Sequence, residues 1–128
     1  MRLFSDFSDW LDKHLAENLS NDIVAVNFNL YEGLEGSNSV YFIELIGCDK
    51  FEEGTDDWAC DGIFSTDNDI FIISKSEDII HWEQGMSFIS GLIKRYLIEG
   101  TYANKLKNYI AIGVGFVDGN IDIIHHAE

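Results

Sequence analysis

Basic residues are scarce in this chain of 128 residues: 8 lysines and arginines stand against 23 aspartates and glutamates, which gives a formal net charge of −15. Binding to nucleic acid or to an anionic membrane needs a basic surface, so neither is expected as a direct partner. A basic protein partner is favoured instead, because opposite potentials speed encounter and suppress wrong partners. The alternative is that the acidity only keeps the chain soluble.

Cysteines and long apolar runs are also scarce. Cys48 and Cys60 form neither a disulfide framework nor a CxxC pair, which fits free thiols in a reducing compartment. No apolar run approaches the ~20 residues that span a bilayer. Three early aspartates interrupt the N-terminal segment, where a signal peptide would have a continuous apolar stretch. We therefore expect a cytoplasmic protein.

Motifs for metal binding, cofactor binding or catalysis are missing at diagnostic spacing. The stretch "DNDIF" begins like a calcium loop, but Phe71 stands where such a loop needs an oxygen ligand. His125 and His126 are adjacent, so in a strand they point to opposite faces and cannot bind one ion together. Aspartates surround Cys60, and their charge disfavours the nucleophilic thiolate. We expect no metal, no cofactor and no enzymatic activity.

The chain's length and composition, with 46% hydrophobic and 13% aromatic residues, predict one globular domain, residues 1–128. Its periodic segments follow the order α-β-β-β-α-β-β. Strand neighbours joined by tight turns imply the α+β class, with a single antiparallel or mixed sheet of about five strands and two main helices packed on it.

Two segments have the period of amphipathic helices, residues 3–18 and 74–100. The second contains Gly85 and Gly91, which should weaken a helix unless close packing against the sheet requires them.

The strands are predicted from alternation of apolar and polar residues and from turn residues. In the first strand Val26 and Phe28 fall on one face, while Asn27 and Asn29 fall on the other, so the strand is predicted to be half-buried. "GVGF" in a later strand has glycines that let another group approach closely. The predicted strands are residues 22–32, 39–48, 69–74 and two runs on either side of Asp118–Gly119, a dipeptide that favours a type I′ turn.

Negative charge is concentrated between Glu44 and Asp69, where nine acids and one lysine give a net charge of −8 over 26 residues. We call residues 49–69 the acidic segment and expect it to be mostly loop. Its carboxylates suit a surface rich in lysine and arginine, to which they make charge-assisted hydrogen bonds. The candidate partner-binding residues are Glu52, Glu53, Asp56, Asp57, Trp58, Asp61, Asp67 and Asp69. For Trp58 two roles remain open, an aromatic anchor in the interface or a core residue beneath the segment.

Two stretches resemble the immunity proteins of bacterial contact-dependent growth inhibition and other polymorphic toxin systems. One is the C-terminal "RYLIEGTYANKLKNYIAIGVGFVDGNIDIIH", and the other is the "W-x-C-D-x-x-F" pattern at residues 58–64. The resemblance covers roughly residues 56–124. It implies a non-enzymatic cytoplasmic inhibitor that binds a cognate toxin domain, frequently a nuclease with a basic cleft. The alternatives are an acidic DNA mimic that inhibits a defence or restriction protein, a small metal-binding protein, and a scaffolding domain.

Overall fold

The computed structural model describes residues 3–17, 19–35, 38–52, 54, 57–60, 62–74, 82–116 and 121–126. It has the α+β fold that the sequence predicts, with a single mixed sheet and helices packed on it. The elements in chain order are α1 (Leu3–Leu15), β1 (Ala25–Glu35), β2 (Asn38–Cys48), β3 (Gly62–Ser65), β4 (Phe71–Ser74), α2 (Trp82–Glu99), α3 (Ala103–Lys107), β5 (Ala111–Phe116) and β6 (Asp122–His126). A short 3-10 turn, Asp57–Cys60, precedes β3.

Within the described residues the sheet has six strands in the order β3-β2-β1-β5-β6, and β4 also pairs with β2. β1 pairs with one edge of β2. The other edge of β2 pairs with β4 along its first half and with β3 near its C-terminal end. β1 runs antiparallel to β2 and parallel to β5. A parallel pair requires a crossover connection, and the chain between β1 and β5 passes through α2 and α3.

Two elements differ from the sequence prediction. β3 lies in the acidic segment, which the sequence predicted to be mostly loop, and α3 lies where only a connection was expected. Both elements have five residues or fewer, too short to show a clear period. The Asp118–Gly119 turn and residues 75–81 of the second predicted helix lie outside the described residues.

The main core lies between one face of the sheet and the helices, and we call this the helix-covered face. α1 contributes Phe7, whose ring lies 6.3 Å from that of Phe28 and 5.5 Å from that of Phe71. α2 contributes a buried stripe that includes Ile89, Ile93 and Tyr96, as the sequence predicts. The buried sheet side chains of this core are Val26, Phe28, Leu30, Tyr41, Ile43, Leu45, Ile73, Ile112 and Val114.

Polar contacts join the helices to one another at the edge of this core. The Tyr96 hydroxyl donates to the Asp12 carboxylate at 2.5 Å and accepts the backbone N–H of Tyr102 at 3.1 Å. Burial and the Asp12 hydrogen bond raise the pKa of Tyr96, so the hydroxyl keeps its proton and acts as a donor. The Lys105 ammonium group donates to the carbonyl of Leu15 at the end of α1. Hydrogen bonds from one tyrosine and one lysine therefore link α1, α2 and α3 to one another.

The two glycines of α2 have opposite surroundings. A Cβ on Gly85 would lie 2.6 Å from the ring of Tyr41, whereas a Cβ on Gly91 would meet nothing within 4 Å. Close packing therefore accounts for the glycine at position 85, whereas at Gly91 no packing requires a glycine and the expectation that it weakens the helix stands. No helix in the part of the chain that the structure describes is long and apolar enough to cross a membrane.

Gly85→Ala and Gly91→Ala form a matched pair of stability tests. Gly91→Ala should raise the free energy of unfolding by up to about 1 kcal/mol, since alanine is the better helix former and nothing opposes it. Gly85→Ala should lower it, because the buried Tyr41 ring has no room to move away. Urea unfolding measures both values. Equal effects of the two substitutions would contradict the packing of α2 on β2.

Candidate interaction surface

The second face of the sheet carries no α-helix in the described part of the chain, and we call it the open face. Side chains alternate along a strand, so residues that flank those of the core point to this side. Cross-strand pairing places Asn29 opposite Glu44 and Tyr31 opposite Phe42 on it. The side chains that β1 and β2 place on this face are Ala25, Asn27, Asn29, Tyr31, Phe42, Glu44, Ile46 and Cys48.

One end of the open face is covered by the 3-10 turn. The Trp58 side chain is 1% exposed and packs with Ala25, Ile46 and Cys48. The Phe51 ring meets the Trp58 ring edge-on, with centroids 5.0 Å apart. Of the two roles that the sequence left open for Trp58, the structure therefore favours the core, and Trp58 is not part of the surface considered below. This cover also makes the prediction of a half-buried first strand wrong at the start of β1, where Ala25 is buried.

The other end of the open face carries a polar group of side chains, Asn29, Tyr31, Glu44 and Ser65, which we call the Glu44 cluster. The Tyr31 hydroxyl donates to Glu44 Oε1 at 2.6 Å, and the Asn29 amide approaches the same oxygen at 3.5 Å. The Ser65 hydroxyl donates to Oε2. Glu44 is 9% exposed, and a polar group at such burial needs hydrogen-bond partners to offset its lost hydration. Burial and the Glu44 hydrogen bond raise the pKa of Tyr31 to about 12, which keeps that donor protonated.

Asn27 continues this network beneath Trp58. Its Nδ2 donates to Asn29 Oδ1 at 2.5 Å, while its own Oδ1 is buried and has no hydrogen-bond partner among the described residues. The same holds, within the described part of the chain, for the indole Nε1 of Trp58. A Cβ on Gly113 would lie 2.5 Å from the Asn27 Oδ1, so the glycine makes room for the amide. This confirms the prediction that a glycine of β5 allows close approach.

The acidic segment is held along the outer edge of β2. Thr66 is 1% exposed, and its hydroxyl accepts the backbone N–H of Leu45 at 2.9 Å. The Thr66 N–H in turn donates to the Leu45 carbonyl at 3.1 Å, so the ladder continues through the gap between β3 and β4. Ser65 contributes its side chain to the Glu44 cluster, and the charge of Asp67 adds to the rise in the Tyr31 pKa. The acidic segment and the polar end of the open face therefore form one continuous surface.

The predicted partner-binding acids do not all have the same surroundings in the structure. Glu52 and Asp67 are exposed. Asp69 is turned toward α1, where its carboxylate contacts Lys13 and accepts from His14 Nε2 at 2.8 Å. Of the other candidates, Glu53, Asp56 and Asp61 lie outside the described residues, and so does the side chain of Asp57.

Asp69 links the acidic segment to α1 through both its backbone and its side chain. Its backbone carbonyl accepts the indole N–H of Trp10 at 2.7 Å, and its carboxylate contacts the next turn of the same helix. The hydrogen bond from Lys13, together with that from His14, lowers the pKa of Asp69 below its usual value of 3.8. This acid has a structural partner, so it contributes less to an outward-facing negative surface than Asp67 does.

Sequence reasoning missed the Glu44 cluster as a site. The available signal was Glu44 itself, the single charged residue in a strand that is otherwise apolar on both faces. Asn27 and Asn29 were visible as the polar half of an alternating strand, but only the β1–β2 register brings Asn29 opposite Glu44. Among the described residues, no three histidine, cysteine or carboxylate side chains lie together as a metal site would require.

Comparison with known proteins finds no matching family model, no matching curated protein and no matching solved structure.

Replacing Trp58 tests its place in the core. Trp58→Ala should lower the free energy of unfolding by about 3–5 kcal/mol, the usual cost of removing a buried tryptophan. Ile63→Ala on β3 is the control, because Ile63 is 48% exposed and should cost much less. The two values come from urea unfolding followed by circular dichroism. A Trp58→Ala protein that unfolds like the wild type would show that the ring is not part of the core.

Asp69 should make stability depend on pH at the acidic end. Because its folded-state pKa is lowered, its contribution is fully present above the unfolded-state pKa of about 3.9 and is lost as pH falls through the folded value. Asp69→Asn should therefore unfold at lower urea than wild type at pH 7, and the difference should shrink below about pH 4. Asp67→Asn, an exposed neighbour, should shift the midpoint less. A difference that is constant down to pH 2 would contradict this role.

Proposed function

We propose that this chain is a non-enzymatic immunity protein that acts in the cytoplasm. It binds and neutralises a cognate toxin domain of a contact-dependent inhibition or polymorphic toxin system, and that domain is basic and a nuclease. The observation that carries the proposal is the continuity of the acidic segment with the polar end of the open face, in a chain of net charge −15. The sequence resemblance at residues 56–124 supports the same conclusion.

The positions of the basic residues add to the separation of negative from positive charge on this protein. Four of the eight, Lys94, Arg95, Lys105 and Lys107, belong to α2 and α3 on the helix-covered side. Arg95 pairs with Glu99 on its own helix at 2.8 Å, and its guanidinium lies 4.0 Å from the centre of the Phe4 ring. A basic partner that approaches the open face therefore meets carboxylates without meeting these cations. Charge separated in this way attracts a basic partner and also orients it as it approaches.

Inhibition follows from competition for a basic cleft. A nuclease binds nucleic acid phosphates with lysine and arginine side chains. Carboxylates of an acidic protein make charge-assisted hydrogen bonds to the same side chains. A bound inhibitor of this kind excludes the nucleic acid and needs no catalytic group of its own.

The direct experiment is calorimetric titration of this protein with the toxin domain encoded immediately upstream of its gene, at low and at high salt, together with an assay of toxin activity. Nanomolar binding that weakens with salt, accompanied by loss of toxin activity, is the expected result. Absence of binding would overturn the proposal and leave the acidic surface with a role in solubility alone.

Charge reversal on Glu52 and Asp67, the candidate partner-binding acids that are exposed in the described part of the chain, should slow association. The double variant Glu52→Lys, Asp67→Lys should lower the association rate constant at low salt by roughly tenfold or more, since such surface charges act on encounter. Asp9→Lys combined with Glu17→Lys makes the same change in net charge on the α1 side, where both residues are exposed. Stopped-flow fluorescence measures both rates. Equal slowing by the two double variants would show that net charge matters and the open-face side does not.

A further inference from the structure

We propose that the Glu44 cluster receives an arginine side chain of the basic partner. This inference rests on the proposed function and names the point on the open face where the partner's charge is bound. The occupant is identified by chemistry: a planar cation that offers several hydrogen-bond donors and has no acceptor.

Among the described residues, the cluster has more hydrogen-bond acceptor positions than donors. A carboxylate has about four acceptor positions, and Glu44 uses two on Oε1, for Tyr31 and Asn29, and one on Oε2, for Ser65. The Asn29 contact is long at 3.5 Å. The second oxygen therefore has an acceptor position for an incoming N–H group, and the Tyr31 oxygen, whose proton is used toward Glu44, has acceptor positions as well.

Asn27 orients the Asn29 side chain within this network. The Asn27 amide is 1% exposed, and its Nδ2 donates to Asn29 Oδ1, so the Asn29 amide nitrogen is turned toward Glu44. The Asn27 Oδ1, which has no hydrogen-bond partner among the described residues, faces Gly113 beneath Trp58 and belongs to the covered end of the face. A network whose donors point inward to one carboxylate, with acceptors left over, is complementary to a group that only donates. Guanidinium has five N–H donors and meets that description.

The aromatic neighbours favour arginine over lysine. Tyr31 and Phe42 are direct cross-strand partners, both are partly exposed, and Glu44 follows two residues along the same face. A guanidinium stacks on aromatic rings while its edge bonds a carboxylate, which a compact ammonium group cannot do. Ile63 and Ile72, 48% and 39% exposed on β3 and β4, add apolar surface at this edge of the sheet. An arginine at the centre of such a surface matches the usual composition of interface hot spots.

The first test requires no toxin. The acetylated, amidated peptide Gly-Arg-Gly is titrated into the isotopically labelled protein, with Gly-Lys-Gly and Gly-Gln-Gly as comparisons, and the side-chain amide signals of Asn27 and Asn29 are followed by NMR. We expect saturable shifts with the arginine peptide, at least threefold weaker binding of the lysine peptide and no saturable shift with the glutamine peptide. Shifts that miss these amides, or that do not distinguish the three peptides, would overturn the inference.

The second test uses the toxin domain and the variant Glu44→Gln, which removes the charge and keeps the shape. Loss of one partner of a desolvated, hydrogen-bonded charge pair acts on dissociation, so the complex should dissociate roughly 30-fold faster or more. Asp9→Asn on α1 makes the same change in net charge and should change dissociation less than twofold. Tight wild-type binding with equal dissociation for the two variants would overturn the arginine site and leave the proposed function intact. If the wild type binds no toxin, the proposed function fails, and the peptide titration alone decides the inference.

Discussion

Backbone pairing of β1 with β2 on one side and β5 on the other is the constraint on which the rest of the molecule depends. Because side chains alternate along β1, this central position sends Val26 and Phe28 to the helices and Asn27 and Asn29 to the opposite face. The parallel pairing with β5 requires a crossover, and the crossover contains α2 and α3. Cover by the helices on one face and a polar surface on the other both follow from this arrangement.

The open face holds an energetically unfavourable feature, a carboxylate that is 9% exposed in the middle of a sheet. Removing such a charge from water costs several kcal/mol before its hydrogen bonds are counted. Tyr31, Ser65 and Asn29 offset part of that cost, but an apolar side chain at position 44 would need none of them. Stability alone therefore does not account for Glu44 at this position, whereas the proposed arginine site would.

Prediction from the sequence succeeded where a pattern is local and long. The alternation in β1 and the helical period after residue 82 were enough to predict the α+β class and the stripe containing Ile89 and Ile93. Prediction was incomplete where distant segments determine the outcome: the four residues of β3 form a strand because β2 offers a free edge, and Trp58, for which the sequence left two roles open, is buried because the start of β1 lies beneath it. The Glu44 cluster belongs to the second kind, since Ser65 is 21 residues from Glu44 in the sequence.

The surface places charge in two different environments, and each acts on a different step of binding. Exposed acids such as Asp67 interact through water and are screened beyond about 8 Å at physiological salt, so they act on the approach of a partner. Glu44 is shielded from water by its neighbours, and salt screens a buried charge much less. A complex formed through both would associate at a rate that depends steeply on salt and dissociate at a rate that depends on it weakly. Fast capture and slow release are what the proposed function would require, since the proposed target damages the cell that makes the inhibitor.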